Sequence, residues 1–218
     1  MPDASSARSA ILSSIRSALG PASAPGQILA EYAAVPREYK RSGSLDTGAM
    51  LDLFRHRLEE YDAMVYHSSP EGIDVTIAEI LRGRSKRTLA VPQGIPVSWL
   101  PEGFDFQEAN SFDADRLDKK VEGILSGCAV SIAETGSIVL QNAPSQGPRI
   151  LSLVPDYHLC VVFAGQVVET VPQAFDYLQT TDSLPTTFIS GPSATADIEM
   201  TRIKGVHGPR FFDVVLVI

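Results

Sequence analysis

The sequence has too few cysteines and histidines, too widely separated, to hold an iron–sulfur cluster or a thiolate zinc site. Its 218 residues include two cysteines, Cys128 and Cys160, and no CxxC pair. Structural zinc and iron–sulfur sites need clustered thiolates, or thiolates combined with histidines. The four histidines form no HxxxH or HxH pair. We therefore expect no metal and no cofactor in this chain, and two buried, reduced thiols suited to a reducing cytoplasm.

Signals for nucleotide, nucleic-acid and membrane binding are missing from the sequence as well. Neither a GxGxxG loop nor a GxxxxGK loop followed by Ser or Thr occurs, so the standard nucleotide fingerprints are absent. The formal net charge is −8, whereas nucleic-acid affinity depends mainly on phosphate neutralisation by Lys and Arg. No segment approaches the roughly 20 apolar residues that span a bilayer. The composition predicts a protein that binds neither nucleic acid nor membranes.

The chain divides into a short N-terminal region and one globular domain of ordinary size. Apolar residues recur at helical spacing from Ile11 to Leu19, which predicts a first helix. Residues 22–48 are rich in Pro, Gly, Ser and Ala, a composition typical of a linker or an extended arm. We therefore assign residues 1–45 to an N-terminal helix and linker arm, and residues 46–218 to the domain.

Up to residue 125 the domain alternates helices with strands, the pattern of an α/β sheet with parallel pairings. Helical periodicity and short apolar runs define these elements. The predicted helices cover residues 50–61, 70–81 and 113–125, and the predicted strands cover residues 63–66 and 88–91.

Beyond residue 125 the pattern changes to closely spaced strands. Residues 129–133 and 137–140 flank a Glu-Thr-Gly turn, and its glycine can take a positive φ, as in a β-hairpin. The remaining predicted elements are strands at 150–154, 158–163 and 186–189 and a helix at 171–178. We therefore predict an α/β fold built on a mixed sheet with an antiparallel section.

The last thirty residues carry the strongest signal of a functional site. After strand 186–189 comes a Gly-Pro-Ser break, which allows close approach to the backbone. A helix predicted to start there would offer unpaired N–H groups and partial positive charge to an anion. The alternative is that a hydroxyl merely caps the helix. The candidate ligand-binding residues are Gly191, Ser193, Thr195, Asp197 and Glu199.

A second glycine-rich break holds a histidine. His207 lies between Gly205 and Gly208, and an imidazole titrates near neutral pH, so it could serve as a general acid or base. Alternatively, its ring nitrogens tie the loop to a neighbouring backbone. His207 is a candidate catalytic residue and Gly208 a candidate ligand contact.

The hairpin turn and the loop that follows it supply further candidates. Glu134 lies at the tip of the turn beside Thr135 and Gly136, where a carboxylate is either solvated or presented as a nucleophile, base or ligand anchor. Arg149 lies in a loop, and its forked donors suit a carboxylate or a phosphate; it could equally be a surface residue. We take Glu134 as catalytic and the other three as ligand-binding candidates.

Together these motifs resemble the LUD-domain family over essentially the whole chain. The matching segments are Ala133-Glu134-Thr135-Gly136-Ser137, Arg149 with Ser152-Leu153-Val154-Pro155 and His158, Gly191 through Glu199, and Gly205-Val206-His207-Gly208-Pro209. The resemblance implies a fold similar to the NagB/RpiA/CoA-transferase group. It also implies a cytoplasmic role in oxidising L-lactate to pyruvate, beside iron–sulfur subunits and a second, cysteine-rich LUD protein. With two cysteines, this chain would be a non-redox component.

Two hypotheses for function remain open at this point. In one, the chain is an accessory subunit whose glycine-rich edge binds a partner or a small carboxylate or phosphate. In the other, it is a CoA-transferase-like enzyme with Glu134 as acyl acceptor. Because strand-end loops of an α/β sheet gather along one edge, we expect one pocket to contain Glu134, Arg149, Ser193, Asp197 and His207.

Overall fold

The computed structural model describes most of the chain in two compact units, residues 1–39 and residues 40–218. The described residues are 4–20, 24–109, 112–181, 183–195, 203–205 and 208–218. The described helices are α1 (Ala4–Leu19), α2 (Pro25–Ala34), α3 (Thr47–Glu60), α4 (Ile73–Gly83), α5 (Ala114–Lys120) and α6 (Val171–Leu178). The described strands are β1 (Met64–Ser68), β2 (Thr88–Val91), β3 (Asp105–Glu108), β4 (Gly123–Ser126), β5 (Val130–Ile132), β6 (Ser137–Gln141), β7 (Tyr157–Phe163), β8 (Val167–Val168), β9 (Thr186–Ile189), β10 (Ala194–Thr195), β11 (Ile203–Lys204) and β12 (Phe211–Val217).

The N-terminal unit contains α1, as predicted, and a second helix, α2, inside the stretch predicted to be a linker. Proline at the start of α2 presets a helical φ, and the alanines and leucine that follow have high helix propensity. The Gln27 amide also donates to Glu31 one turn later, at 2.9 Å. Of the helices described in either unit, none is long and apolar enough to cross a bilayer.

The main sheet of the larger unit has six strands in the order β1-β12-β7-β4-β2-β3, and all its pairings are parallel. The last strand of the chain, β12, therefore lies between β1 and β7. Seven consecutive residues of β12 pair with seven of β7. A strand in this position is buried on both faces, which explains the continuous apolar run at the C-terminus.

The antiparallel pairings predicted for the second half form a separate, four-stranded sheet in the order β8-β5-β6-β9. The predicted hairpin is confirmed, because β5 and β6 are antiparallel neighbours. Strand β9 also pairs antiparallel with β6, and β8 pairs parallel with β5. The predicted α/β fold with parallel and antiparallel pairings is confirmed. Among the described residues the structure distributes the pairings over two large sheets and a two-stranded pair, β10 with β11.

Side chains of β7 and β12 alternate between two cores. The even-numbered apolar residues of both strands pack with α3 and β6, and the odd-numbered ones pack with α4. This alternation follows from the two-residue period of a strand. The first of these cores joins the two sheets, because it contains Ile138 and Leu140 of β6 as well as Phe212 of β12.

The helix predicted over residues 113–125 ends early, at Lys120, and residues 123–126 form β4 instead. Ile124 and Leu125 match the helical stripe, but they pair with β7 in the sheet. Gly123 makes this approach possible, because a Cβ there would lie 2.7 Å from the Tyr157 ring. Tertiary pairing therefore overrides the local periodicity.

The strand predicted at residues 150–154 is wrong, because Arg149–Ser152 form a single 3-10 turn. Pro148 and Pro155 bracket the segment. Proline lacks the N–H that a sheet ladder needs. The turn is closed by the Leu151 N–H, which donates to the Pro148 carbonyl at 3.0 Å.

A charged side chain, Asp213, is buried in the apolar strand β12. It is fully inaccessible to solvent, and it accepts hydrogen bonds from Arg84 Nε at 2.8 Å and from the Tyr157 hydroxyl at 2.9 Å. A second Arg84 nitrogen donates to the other carboxylate oxygen. Burial, together with the Asp213 carboxylate, raises the pKa of Tyr157, so its hydroxyl stays protonated and able to donate. The forked pairing balances the buried charge.

We predict that Arg84→Met lowers the free energy of unfolding by about 3 kcal/mol, because it leaves Asp213 buried without its countercharge. Urea unfolding followed by circular dichroism measures this. Arg55→Met is the control, since Arg55 pairs with Glu59 one turn along α3 on the surface, at 3.0 Å, where such a pair contributes about 0.3–0.5 kcal/mol. Equal losses in the two variants would contradict the prediction.

Candidate functional site

A cavity of about 260 Å³ lies where the end of β9 meets the beginnings of β7 and β12. The end of β9 and the segment that follows it supply one wall through residues 188–193, and the parallel sheet supplies another through His158 and Phe212. The 3-10 turn contributes Arg149 and Ser152. The cavity therefore combines a cation, an imidazole and hydroxyls with aromatic walls.

The chain after β9 does not begin a helix where the sequence predicted one. Ala194–Thr195 form β10, which pairs antiparallel with β11. The Ser193 N–H donates to the Pro209 carbonyl at 2.8 Å, and the Gly205 N–H donates to the Ser193 carbonyl at 3.0 Å. The helix predicted to begin at Ser193 or Thr195 does not start there, because the backbone pairs in an extended conformation. Ligand binding by these two residues stays a prediction.

Gly191 is required by packing. It has a φ of +77°, and a Cβ at this position would lie 2.5 Å from the Cβ of Tyr61. Glycine takes a positive φ without steric cost. The glycine lets the end of β9 turn against the residue that follows α3, and this turn shapes the cavity wall.

Arg149 is the positively charged residue among the described residues that line the cavity. Its Nη1 donates to the Ser152 hydroxyl at 3.0 Å, and that hydroxyl donates back to the Arg149 carbonyl at 3.1 Å. In the described part of the chain, Nε and Nη2 of Arg149 have no partner. Within the described residues the side chain is thus anchored by one nitrogen, Nη1.

His158 is the residue that sequence reasoning did not assign to the site. It is 1% exposed, and its ring packs at 5.1 Å from that of Phe212. Nε2 lies 2.7 Å from the Ser126 hydroxyl, and Nδ1 has no hydrogen-bond partner among the described residues. Burial lowers the pKa of His158 to about 3, so the imidazole is neutral at physiological pH. The signal in the sequence was a lone histidine within an apolar strand.

The Glu134 carboxylate is not among the groups that line the cavity. It pairs with Lys40 at 2.8 Å, and Lys40 also contacts the Glu169 carboxylate. The hydrogen bonds to these two carboxylates raise the pKa of Lys40. Across the described ranges, no group of three His, Cys, Asp or Glu side chains could hold a metal ion.

The hairpin turn reaches the cavity through hydroxyl groups. The Thr135 hydroxyl donates to that of Ser137 at 2.8 Å, and the Ser137 and Ser190 hydroxyls lie 2.7 Å apart. Ser190 lines the cavity. Gly136 has a φ of +60° and lets the turn pack on α3, because a Cβ at this position would lie 2.8 Å from the backbone of Arg57.

The structure brings together part of the predicted set of site residues. Four of them line the cavity: Arg149, Gly191, Ser193 and Gly208. Three belong to the neighbouring hairpin turn: Glu134, Thr135 and Gly136. Asp197, Glu199 and His207 lie outside the described residues, as does the side chain of Thr195. For Asp197 and His207, the expected place in one shared pocket therefore stays a prediction.

The buried neutral His158 predicts a specific pH dependence of stability. Its folded pKa lies below the ordinary value of 6.5, so the unfolded chain takes up the proton first as the pH falls. Stability is therefore lost on acidification below pH 6.5, by about 1.4 kcal/mol per pH unit from this residue. Between pH 6.5 and 5, the free energy of unfolding of a His158→Gln variant should fall about 2 kcal/mol less than that of the wild type.

Urea titrations at a series of pH values measure this difference. His67→Gln is the matched control, because His67 is exposed in β1 and is solvated in both states. A wild-type pH slope that His158→Gln leaves unchanged would refute the buried neutral imidazole.

Known proteins resemble this chain in both sequence and fold. The LUD domain model matches residues 51–217. A lactate utilization protein C from Deinococcus radiodurans is 39% identical over 82% of this chain and 84% of its own length. Another protein of that name, from an Exiguobacterium species, is 28% identical over 86% of this chain and 85% of its own length.

The crystal structure of a DUF162 family protein from Deinococcus radiodurans superimposes with a TM-score of 0.68 and 34% identity. The match covers 80% of this chain and 99% of that one, so the two proteins share the α/β architecture over four fifths of this chain. A family model that spans most of the chain and a relative this similar confirm what the motifs predicted: the chain belongs to the LUD domain family.

Proposed function

We propose that this protein is a non-redox accessory component of an L-lactate oxidation system and that it binds a small carboxylate in the cavity between its two sheets. The names of the relatives, lactate utilization protein C, support the link to lactate. The observation that carries the binding proposal is Arg149 at the cavity, with Nε and Nη2 unpartnered within the described residues.

The cavity suits a short organic acid by size and by chemistry. Guanidinium donors match the two oxygens of a carboxylate. Its volume of about 260 Å³ lies just below the usual range for drug-sized ligands. Phe188 and Phe212 supply apolar walls for a carbon skeleton, and the hydroxyls of Ser190 and Ser193 supply polar contacts.

The cysteines support a role without electron transfer. Cys128 and Cys160 are both buried and free, and an iron–sulfur cluster requires more thiolates than two. Burial also raises the pKa of the Cys160 thiol, so it stays protonated. The electrons of lactate oxidation would therefore pass through iron–sulfur subunits that act as partners of this chain.

The CoA-transferase-like alternative has less support from the contacts of Glu134. An attacking carboxylate needs access to the acyl group and freedom from strong countercharges. The Glu134 carboxylate instead pairs with Lys40, in a turn beside the cavity. This ion pair is better suited to anchoring residues 40–45 beside the hairpin turn. The Ser44 and Leu45 N–H groups anchor the same segment, because they donate to the Glu169 carboxylate.

Ligand binding is tested by isothermal titration of the full chain with L-lactate, pyruvate and propanoate. We predict that Arg149→Met weakens carboxylate binding about 10- to 100-fold, the effect of losing a charge-assisted hydrogen bond. Arg55→Met, on the exposed side of α3, should bind as the wild type does. Equal affinities of the wild type and Arg149→Met for these acids would refute the proposed site.

The covalent alternative is tested by incubating the protein with acyl-CoA, quenching, and measuring the intact mass. We predict no acyl or CoA adduct on the wild type, because the Glu134 carboxylate is held by Lys40. Lys40→Met frees Glu134 from this pair. This variant is the control that shows whether the ion pair suppresses adduct formation. An adduct on the wild type that Glu134→Gln abolishes would establish the transferase function instead.

A further inference from the structure

A second, smaller cavity adjoins the first at Arg149. Its volume is about 180 Å³, compared with about 260 Å³ for the first. Arg149 and Ser152 line both cavities. Each volume lies below the usual range of about 300–1,000 Å³ for ligand pockets, and the two together fall within it. A ligand held at Arg149 therefore has space to extend into the second cavity.

Among the described residues, the charge that lines the two cavities is positive. Arg149 carries it, and no aspartate or glutamate belongs to the described lining of either cavity. The whole chain has a formal net charge of −8, so this lining departs from the average composition of the protein. A lining with a cation and without carboxylates favours an anionic ligand.

The amide of Gln146 gives the second cavity a hydrogen-bond donor. Gln146 lines this cavity, and its Oε1 accepts from the Gln141 N–H at 2.7 Å. A backbone N–H only donates, so the amide oxygen must lie on that side and Nε2 on the other. In the part of the chain that the structure describes, Nε2 has no partner. The unused nitrogen of this amide is therefore a donor.

Gln146 Nε2 is also accessible. The buried side-chain nitrogens without a partner among the described residues are Arg57 Nε and His158 Nδ1. Gln146 is half-buried, and its unpaired nitrogen is not one of these buried atoms, so it keeps contact with solvent. The same holds for the hydroxyl of Thr187, which lines the second cavity and has no partner within the described residues. The second cavity thus offers an N–H and an O–H donor to a ligand.

We infer that the second cavity binds a second carboxylate, so that the site takes a short dicarboxylate with one end at Arg149 and the other at Gln146 and Thr187. This inference rests on the proposed carboxylate binding at Arg149. An ionised carboxylate only accepts hydrogen bonds, so its two oxygens can use both donors at once. A methyl group in the same place would take water from these donors and leave them unpaired. Gln146 and Thr187 are thus specificity-determining residues, which distinguish a diacid from a monoacid.

Three matched pairs of acids test this inference by isothermal titration of the full chain at pH 7: succinate with butanoate, glutarate with pentanoate, and adipate with hexanoate. The acids of a pair have the same number of carbons and differ in the second carboxylate. Because the distance between the two ends of the site selects one length, we expect one diacid to bind about tenfold or more tightly than its monoacid. Hydrogen bonds to a charged group have an effect of this size.

Gln146→Glu is the sharpest variant for this test. It keeps the oxygen that accepts from the Gln141 N–H and replaces the donor by a second, negatively charged oxygen. The preference for the diacid should therefore disappear. Thr187→Val keeps the branched shape in β9 and removes the hydroxyl, and it should reduce the preference about three- to tenfold. Gln179→Glu, at an exposed position outside both cavities, should keep the preference of the wild type.

The outcomes separate the two proposals. If no diacid binds more tightly than its monoacid, the second carboxylate site is overturned and carboxylate binding at Arg149 stands. A preference for the diacid that Gln146→Glu leaves unchanged overturns the second site as well. If none of these acids and none of the three-carbon acids binds, the site at Arg149 fails and the second site fails with it.

Discussion

The parallel pairing of β12 with β1 and β7 is the interaction on which the rest of the structure depends. It brings the last residues of the chain into the middle of the main sheet, where seven of them pair with β7. The strand fills both cores, and it positions Asp213 for the pairing with Arg84 and Tyr157. Residues 208–209 are held against Ser193 for the same reason, because they lead directly into β12.

The cavity is a consequence of joining two sheets. Strand β9 belongs to the second sheet, and its end meets the beginning of β12 in the first. A residue larger than glycine would clash at this junction, because a Cβ at Gly191 would lie 2.5 Å from the Cβ of Tyr61. Small residues at this junction therefore serve packing, and Phe188 and Phe212 line the cavity that remains.

A chain of buried polar side chains lies behind the cavity. His158, Ser126 and Cys160 lie on neighbouring strands β7 and β4, buried among apolar residues. The 2.7 Å contact between His158 Nε2 and the Ser126 hydroxyl holds the imidazole in one orientation. Arg149 adds a positive charge to the lining of the same cavity.

The sequence by itself determined the elements with strong local patterns and the family. Strand β2, the hairpin around Glu134 and helix α6 follow from periodicity and turn chemistry, and the shortage of clustered thiolates follows from counting. Tertiary structure decided the rest. Residues 123–125 became a strand because β7 and Gly123 offered a partner, and Ala194–Thr195 became a strand by pairing with β11. The state of His158 depends on Ser126, 32 residues away, and on burial under Phe212. No local pattern encodes such a contact, because desolvation is a property of the assembled core.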